Sequence, residues 1–536
     1  MPKGTATRRL GEAWRRWPSR RCEAWSCACL VLLATFFPLA QLAKSAVSNA
    51  ADSIAWFSIW ANGTLAAQTA LTGWVCIVAG AVAVAASAPQ AVAVSLYEFK
   101  GARGVELAAL APLLLAPYAA AGAWAGLDLG AWSHGAVPMA VQIGFSCAPW
   151  SYLALRVAIS RLPPSLGEAA AASGMGAWGR AARVWAPLLW APMLGAALFA
   201  AAKAFGDYGT AERNGAHTFG VAFHDMWNGS QSQHVAAGVA LAAVLPAFVV
   251  TWGASARVRR NLPRQFAGAA GAARLARTKP SAQLLAAVVA WSILCLGLSF
   301  IAPEWQYVDW AVDGRWMSWD KSWRVLSDAM ATSGAVAALL AAAGCACALL
   351  LRPGARGAMP ERLMWLVSVN LFIPPMALAL AWLSATADGS WLASALGAAR
   401  DGKLPLLMAQ AAKLAPFALL PVLDRLSREN DSLRDALQVA GIGALGVWRH
   451  VLRMAAPAIV VGAAVVFMEA VKELEIAITL QPFGYQSPAI KIHSLARFHS
   501  EHAIANWVLL SQALMLPGLV AVVAWLSRLD RAGRLA

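Results

Sequence analysis

Charged side chains set inside long apolar runs are the residues of this sequence whose chemistry most needs a reason. Lys203 stands near the end of one such run, with Asp207 and Tyr208 just beyond it. Glu469, Lys472 and Glu473 close another, and Lys413 sits in the middle of a third. An ionised group at the depth of a hydrocarbon layer is costly, so it faces a polar cavity or a partner. Alternatively it snorkels outward to the interface on its apolar stem. The first alternative makes Lys203, Asp207, Tyr208, Glu469, Lys472 and Glu473 candidates for a translocation path.

Two other residue types could do chemistry. Imidazole is a common metal ligand, and His134, His217, His224, His234, His493, His499 and His502 all fall in the loops expected on the outer face, leaving His450 on the other. His217, His224 and His234 are the metal candidates, although no pair of them has the spacing of a firm site. The eight cysteines include two C-x-C pairs, Cys27/Cys29 and Cys345/Cys347, which lack the partners and spacing of a zinc centre. They read better as small packing residues, and no external disulfide framework is implied. The chain has no G-x-x-x-x-G-K-[ST] phosphate loop, so no nucleotide hydrolysis is expected here and no cofactor is required.

The elements that must position these groups are membrane helices. The chain of 536 residues is 60% hydrophobic and only 13% charged, against about a quarter charged for a soluble domain. Its net charge of +16 falls in short basic blocks between apolar runs, the pattern of positive-inside loops rather than of nucleic-acid binding. Tryptophan, with 26 copies against 6 tyrosines, suits the membrane–water interface. A span needs about 20 mostly apolar residues. About twelve such stretches can be marked: 24–43, 64–87, 105–125, 136–158, 186–205 and 235–254, then 283–303, 327–351, 363–384, 404–423, 456–475 and 505–526.

The expected fold is therefore an all-α polytopic membrane protein with two six-helix repeats related by a pseudo-two-fold axis. A basic N-terminal segment (1–23) precedes the first unit (24–254). An Ala/Gly/Arg-rich linker (255–282) joins it to the second unit (283–527), and a short tail follows (528–536). The arginines of segment, linker and tail all fall on one side, which places both termini in the cytoplasm. The first apolar run has the basic front of a secretory signal, but it is long, and its removal would break the six-plus-six count.

A repeat is visible inside this layout. After the fourth span of the first unit come Glu168-Ala169-Ala170, three residues, then Gly174, and nine residues later Val184-Trp185-Ala186-Pro187. After the fourth span of the second come Asp435-Ala436-Leu437, three residues, then Gly441. An acid followed by small residues starts a helix well, because the carboxylate meets the positive helix end. Small side chains let that helix seat closely in a groove, and glycine permits the turn that follows.

The pattern Glu-Ala-Ala, three residues, Gly, nine residues, Ile-x-Leu-Pro resembles the signature of ABC importer permeases. The first copy follows it with Val184 and Ala186 as substitutions. The second is looser, with Asp435 for Glu, Leu437 for Ala, Met454 where the proline would stand, and Pro457 the first proline after it. The resemblance implies two loops, around Glu168, Ala169, Ala170, Gly174 and Pro187 and around Asp435, Ala436 and Gly441, that each dock an ATPase. It implies a separate ATPase dimer carrying ATP and Mg on the cytoplasmic face. It also implies an external or periplasmic solute-binding protein, a bacterial inner-membrane location and transport by alternating access.

Within that family, Asp207-Tyr208-Gly209-Thr210 and Lys472-Glu473-Leu474 resemble stretches of the fused ferric-iron permeases. Thiamine, phosphonate, sulfate and polyamine permeases are the alternatives. A secondary transporter of the major-facilitator type would share the six-plus-six layout. Its signature fits Glu98-Phe99-Lys100-Gly101-Ala102-Arg103-Gly104 poorly. A membrane-embedded glycosyltransferase would need an acidic or metal-binding cluster in one large external loop, and none is evident.

Overall fold

In the computed structural model the described residues are 63–127, 130–160, 172–230, 235–239, 278–314, 318–350, 358–387, 390–427 and 444–532, with short pieces at 37, 40–47, 58, 162, 169, 241–242, 439–440 and 442. Among them the chain is helical, relieved only by an isolated parallel bridge between Tyr97 and Thr278. Seven helices are long and apolar enough to cross a membrane, or eight if one sharply bent pair counts as a span. The expected runs 24–43 and 235–254 lie largely outside the described residues, as do the N-terminal segment and most of the linker.

The first half contains α1 (Thr64–Leu96), α2 (Ala102–Leu110), α3 (Pro117–Gly126), α4 (Ala136–Ile159), α5 (Ala186–Phe205), α6 (Gly209–Arg213) and α7 (Phe219–Ser230). The second contains α8 (Ala282–Asp313, with a π-helical turn at Gly297–Ile301), α9 (Trp319–Leu350), α10 (Ala358–Val369), α11 (Pro375–Ala385), α12 (Leu404–Ser427), α13 (Ala444–Lys472), α14 (Glu475–Leu480), α15 (Pro488–Ala496) and α16 (Glu501–Ala532). The helix α4 has the length of a span. It carries Gln142, Pro149 and Arg156 and is not among the seven.

Two of the expected continuous spans are broken. The run 105–125 turns through 92° between α2, with its short 3-10 extension to Leu114, and α3. The run 363–384 is interrupted between α10 and α11. Proline explains both. It donates no backbone hydrogen bond and crowds the preceding turn, yet its fixed φ suits the first position of a new helix. Pro117 and Pro375 each occupy that position. Two further breaks follow Phe205 and Lys472, so with those after Leu114 and Val369 there are four, and each leaves helix-end polar groups that need partners away from water.

Packing follows the same scheme in both halves. The helices α1, α4 and α5 pack on one another, as do α9, α12 and α13. The first helix of the second half lies against the first half, with α8 on α1, α2 and α3. Conversely, Phe37 packs its ring on Trp382 and Trp391 of the second half. Leu42 and Ala46 join a core with Val369, Ile373 and α11. The end of the linker is pinned as well: Glu98 N–H donates to the Thr278 carbonyl at 3.0 Å, and Thr278 N–H to that of Leu96 at 3.1 Å.

Candidate functional site: a charged layer where broken helices meet

The four breaks converge, and small residues allow it. A side chain on Gly206 would put its Cβ 2.8 Å from Pro375 Cδ; one on Gly209 would sit 2.7 Å from Leu474 Cδ2 and 3.1 Å from Tyr118 Cβ. The backbone of the first half at its α5–α6 break thus lies directly on the α10–α11 and α13–α14 breaks of the second. Tyr208 N–H donates to Glu475 Oε1 across that seam at 3.4 Å.

The charged residues singled out from sequence gather here. Lys203 Nζ lies 3.1 Å from Glu469 Oε2, and Lys472 Nζ lies 2.5 Å from Glu469 Oε1. Glu469 therefore bridges two lysines, one from each half. Its side chain is 5% exposed and that of Lys472 is 9% exposed, whereas Lys203 keeps 35%. Lys472 also donates to the Leu113 carbonyl at 3.0 Å, meeting an end group of the α2–α3 break.

Asp207 and Glu473 do a different task. Asp207 accepts from Thr210 N–H at 2.7 Å and from the Thr210 hydroxyl at 3.0 Å. Glu473 accepts from Ile476 N–H at 2.9 Å and from Ala477 N–H at 3.1 Å. Each carboxylate caps the short helix that restarts the chain after its break, where a negative charge is favoured. Lys413 is likewise occupied. Only 6% of it is exposed, and its ammonium donates to the carbonyls of Asn370, Leu371 and Ile373 at 3.2, 3.1 and 2.7 Å. All three carbonyls belong to the α10–α11 break. Its position in the middle of a span thus serves the backbone of a neighbouring one.

On the side of this layer away from the motif loops lies a second cluster that the sequence did not announce. Glu212 Oε1 accepts from Arg497 at 3.2 Å, and its Oε2 lies 3.2 Å from His493 Nδ1. The Tyr208 hydroxyl accepts from Arg497 at 3.4 Å, while its ring stacks on His224 with centroids 4.0 Å apart. Burial pushes the His493 imidazolium down below its ordinary value, against the pull of Glu212 and with help from Arg497 and His224. Burial also lowers His224. Glu212 pairs with residues about 285 positions away, so no local motif could have found this arrangement.

Among the described residues no group of three or more His, Cys, Asp or Glu is placed to hold a metal ion. His217 is exposed, His224 is buried against Tyr208, and His234 lies outside the described residues. Of the motif loops, Ala169 is exposed and Gly174 adopts a φ of 69°, a left-handed turn that suits glycine. Pro187 sits in the first turn of α5. Glu168, Ala170, Asp435, Ala436 and Gly441 lie outside the described residues.

These features define a class: a multi-pass helical membrane protein with a charged layer at the junction of broken helices, the arrangement by which transporters place polar groups at depth. Residues 334–531 match the family described as binding-protein-dependent transport system inner membrane component. No curated protein and no solved structure matches the chain. The matched segment runs from within α9 to near the end of α16.

Proposed function

We propose that this chain holds two permease units of an ABC importer, fused head to tail, moving a small solute from an external binding protein into the cytoplasm. The observation that carries the reading is the family match over residues 334–531. It is supported by the first half, which lies outside that match yet packs three of its helices in the same scheme and breaks after Phe205 as the second half does after Lys472. The solute passes at the seam, beside Lys203, Tyr208, Glu469 and Lys472, with Asp207 and Glu473 holding the short helices that flank it. The loops around Glu168, Ala169, Ala170, Gly174 and Pro187 and around Asp435, Ala436 and Gly441 each dock one subunit of a separate ATPase dimer. Arg183, Arg449 and Arg453, which are exposed beside these loops, fit a cytoplasmic face. Both termini lie on that side. The chain is a transporter rather than an enzyme, and nucleotide and Mg belong to its partner.

Ferric iron is the solute we favour, on the two short stretches that resemble ferric-iron permeases. Thiamine, phosphonate, sulfate and polyamine are the competitors. The test is uptake by proteoliposomes holding the permease with its co-expressed ATPase and binding protein. ATP-dependent uptake of labelled ferric iron, undiminished by the other solutes, is the expected result. Uptake driven by a proton gradient without the ATPase would instead indicate a secondary transporter.

A further inference from the structure

A residue pair other than the charged one also meets across the seam. Trp150 of α4 and Phe417 of α12 have ring centroids 4.9 Å apart. Phe199 of α5 completes the group, 6.1 Å from Trp150 and 5.9 Å from Phe417, edge-on to both. The two central residues are counterparts. Each follows the same dipeptide, Ala148-Pro149-Trp150 and Ala415-Pro416-Phe417, and they stand 267 positions apart, the separation that also relates Tyr208 to Glu475. A helix-interior proline precedes each ring. Equivalent positions of two repeats approach each other only near the axis that relates the repeats.

The location is equally specific. Phe199 precedes Lys203 by one turn of α5, and Phe417 follows Lys413 by one turn of α12. The rings therefore form a layer about 6 Å from the charged one, displaced toward the motif loops. The neighbours of Phe417 on either side along α12, from Gln410 to Pro416 and at Ala418 and Leu419, are buried, yet Phe417, Trp150 and Phe199 each keep some surface open. The rings thus sit at the middle of the bundle, partly buried and packed where the two halves meet.

We propose that Trp150, Phe199 and Phe417 form an aromatic constriction that seals the solute path, on the motif-loop side of the charged layer, whenever solute is not passing. The proposal rests on the chain being a solute path, as argued above. Apolar rings close such a path because a narrow apolar neck empties of water, and ions do not cross it unhydrated. The charged layer cannot do this, since Lys203 keeps water beside it. Opening requires only that the halves move apart, because the rings come from both.

The test uses the permease alone in liposomes loaded with potassium, with release read by a potassium-sensitive dye. Trp150→Ala/Phe417→Ala is expected to raise passive release roughly tenfold or more over the parent. The exchange variant Trp150→Phe/Phe417→Trp keeps the ring area and is expected to stay tight. A double-alanine variant that is folded by size-exclusion chromatography yet as tight as the parent overturns the proposal. So does an exchange variant that leaks as much as the alanine pair. If the alanine pair yields no folded protein, Trp150→Gln/Phe417→Gln, which keeps bulk but hydrates the neck, is read by the same criterion. Because this assay needs no ATPase, its failure is separable from that of the importer reading: tight variants of a parent that imports with ATP remove the constriction alone, and leaky variants of a parent without ATP-driven uptake retain it.

Discussion

The most direct test of the charged layer is Glu469→Gln. In the native protein this carboxylate lies 3.1 Å from Lys203 Nζ and 2.5 Å from Lys472 Nζ. At an effective dielectric constant of about 20, the two contacts are worth roughly 5 and roughly 7 kcal/mol of Coulomb attraction. Mutual repulsion of the two lysines and the cost of removing all three groups from water offset much of this. Breaking a buried pair by neutralising one partner nevertheless costs about 3–5 kcal/mol, because the remaining charge is stranded. Lys472 bears most of that penalty, being nearly enclosed, whereas Lys203 retains access to water. Its remaining acceptor, the Leu113 carbonyl, limits the loss, so the lower end of the range, about 3 kcal/mol, is expected. The assay is equilibrium unfolding in mixed detergent micelles, followed by tryptophan fluorescence, and then the double-mutant cycle with Lys203→Gln. The cycle should return a coupling above about 1 kcal/mol. A loss under about 0.5 kcal/mol for Glu469→Gln, the range of ordinary surface changes, would refute the buried bridge between the halves.

Other consequences are equally accessible. Gly206→Ala places a Cβ 2.8 Å from Pro375 and should cost about 1–3 kcal/mol by overpacking, seen as a lowered unfolding midpoint with transport reduced in proportion to folded protein. Lys413→Met leaves the carbonyls of Asn370, Leu371 and Ile373 without their ammonium donor; a loss of about 2–4 kcal/mol is expected, with the break between α10 and α11 exchanging amide hydrogens faster. The depressed His493 and His224 bind protons less readily folded than unfolded. Their stabilising contribution is therefore complete above the unfolded histidine value, near about 6.5, and is lost as pH falls below it. A pH series of unfolding midpoints should show that decline, and His493→Gln/His224→Gln should flatten it. Gly174→Pro and Glu168→Lys should abolish ATP-coupled uptake while membrane insertion, scored by fractionation, is unchanged; normal uptake by both would remove the docking role.

Much of the layout was legible because membrane helices advertise themselves by length and composition. Lys203 and Glu469 stand out in the sequence as charges near the ends of apolar runs, and the structure puts their charged atoms in contact. Pro117 and Pro375 begin the second piece of each broken run, but a proline in an apolar run does not by itself say that the helix is broken there. That outcome depends on distant partners: Lys413 and Lys472 supply the missing donors, and neither is near those prolines in sequence. Lys413 shows the limit most clearly. A lysine in the middle of an apolar run looks like part of a path, and only the position of the neighbouring break reveals that its ammonium is spent on carbonyls. The Glu212–His493–Arg497 cluster left no trace, since a residue of one short helix pairing with the end of another far along the chain has neither period nor motif.

The exchange of first helices also governs how the protein is made. While the ribosome is completing the first half, the faces of α1, α2 and α3 that receive α8 are still uncovered, and Phe37 has no Trp382 or Trp391 to rest on. Neither half can finish its own packing alone, so the newborn first half must wait in the bilayer, with Thr278 drawing the next segment to its place beside Leu96 and Glu98. Once the second half is home, the two halves are clasped through one another, and a polypeptide cut between them would yield two pieces that remain together.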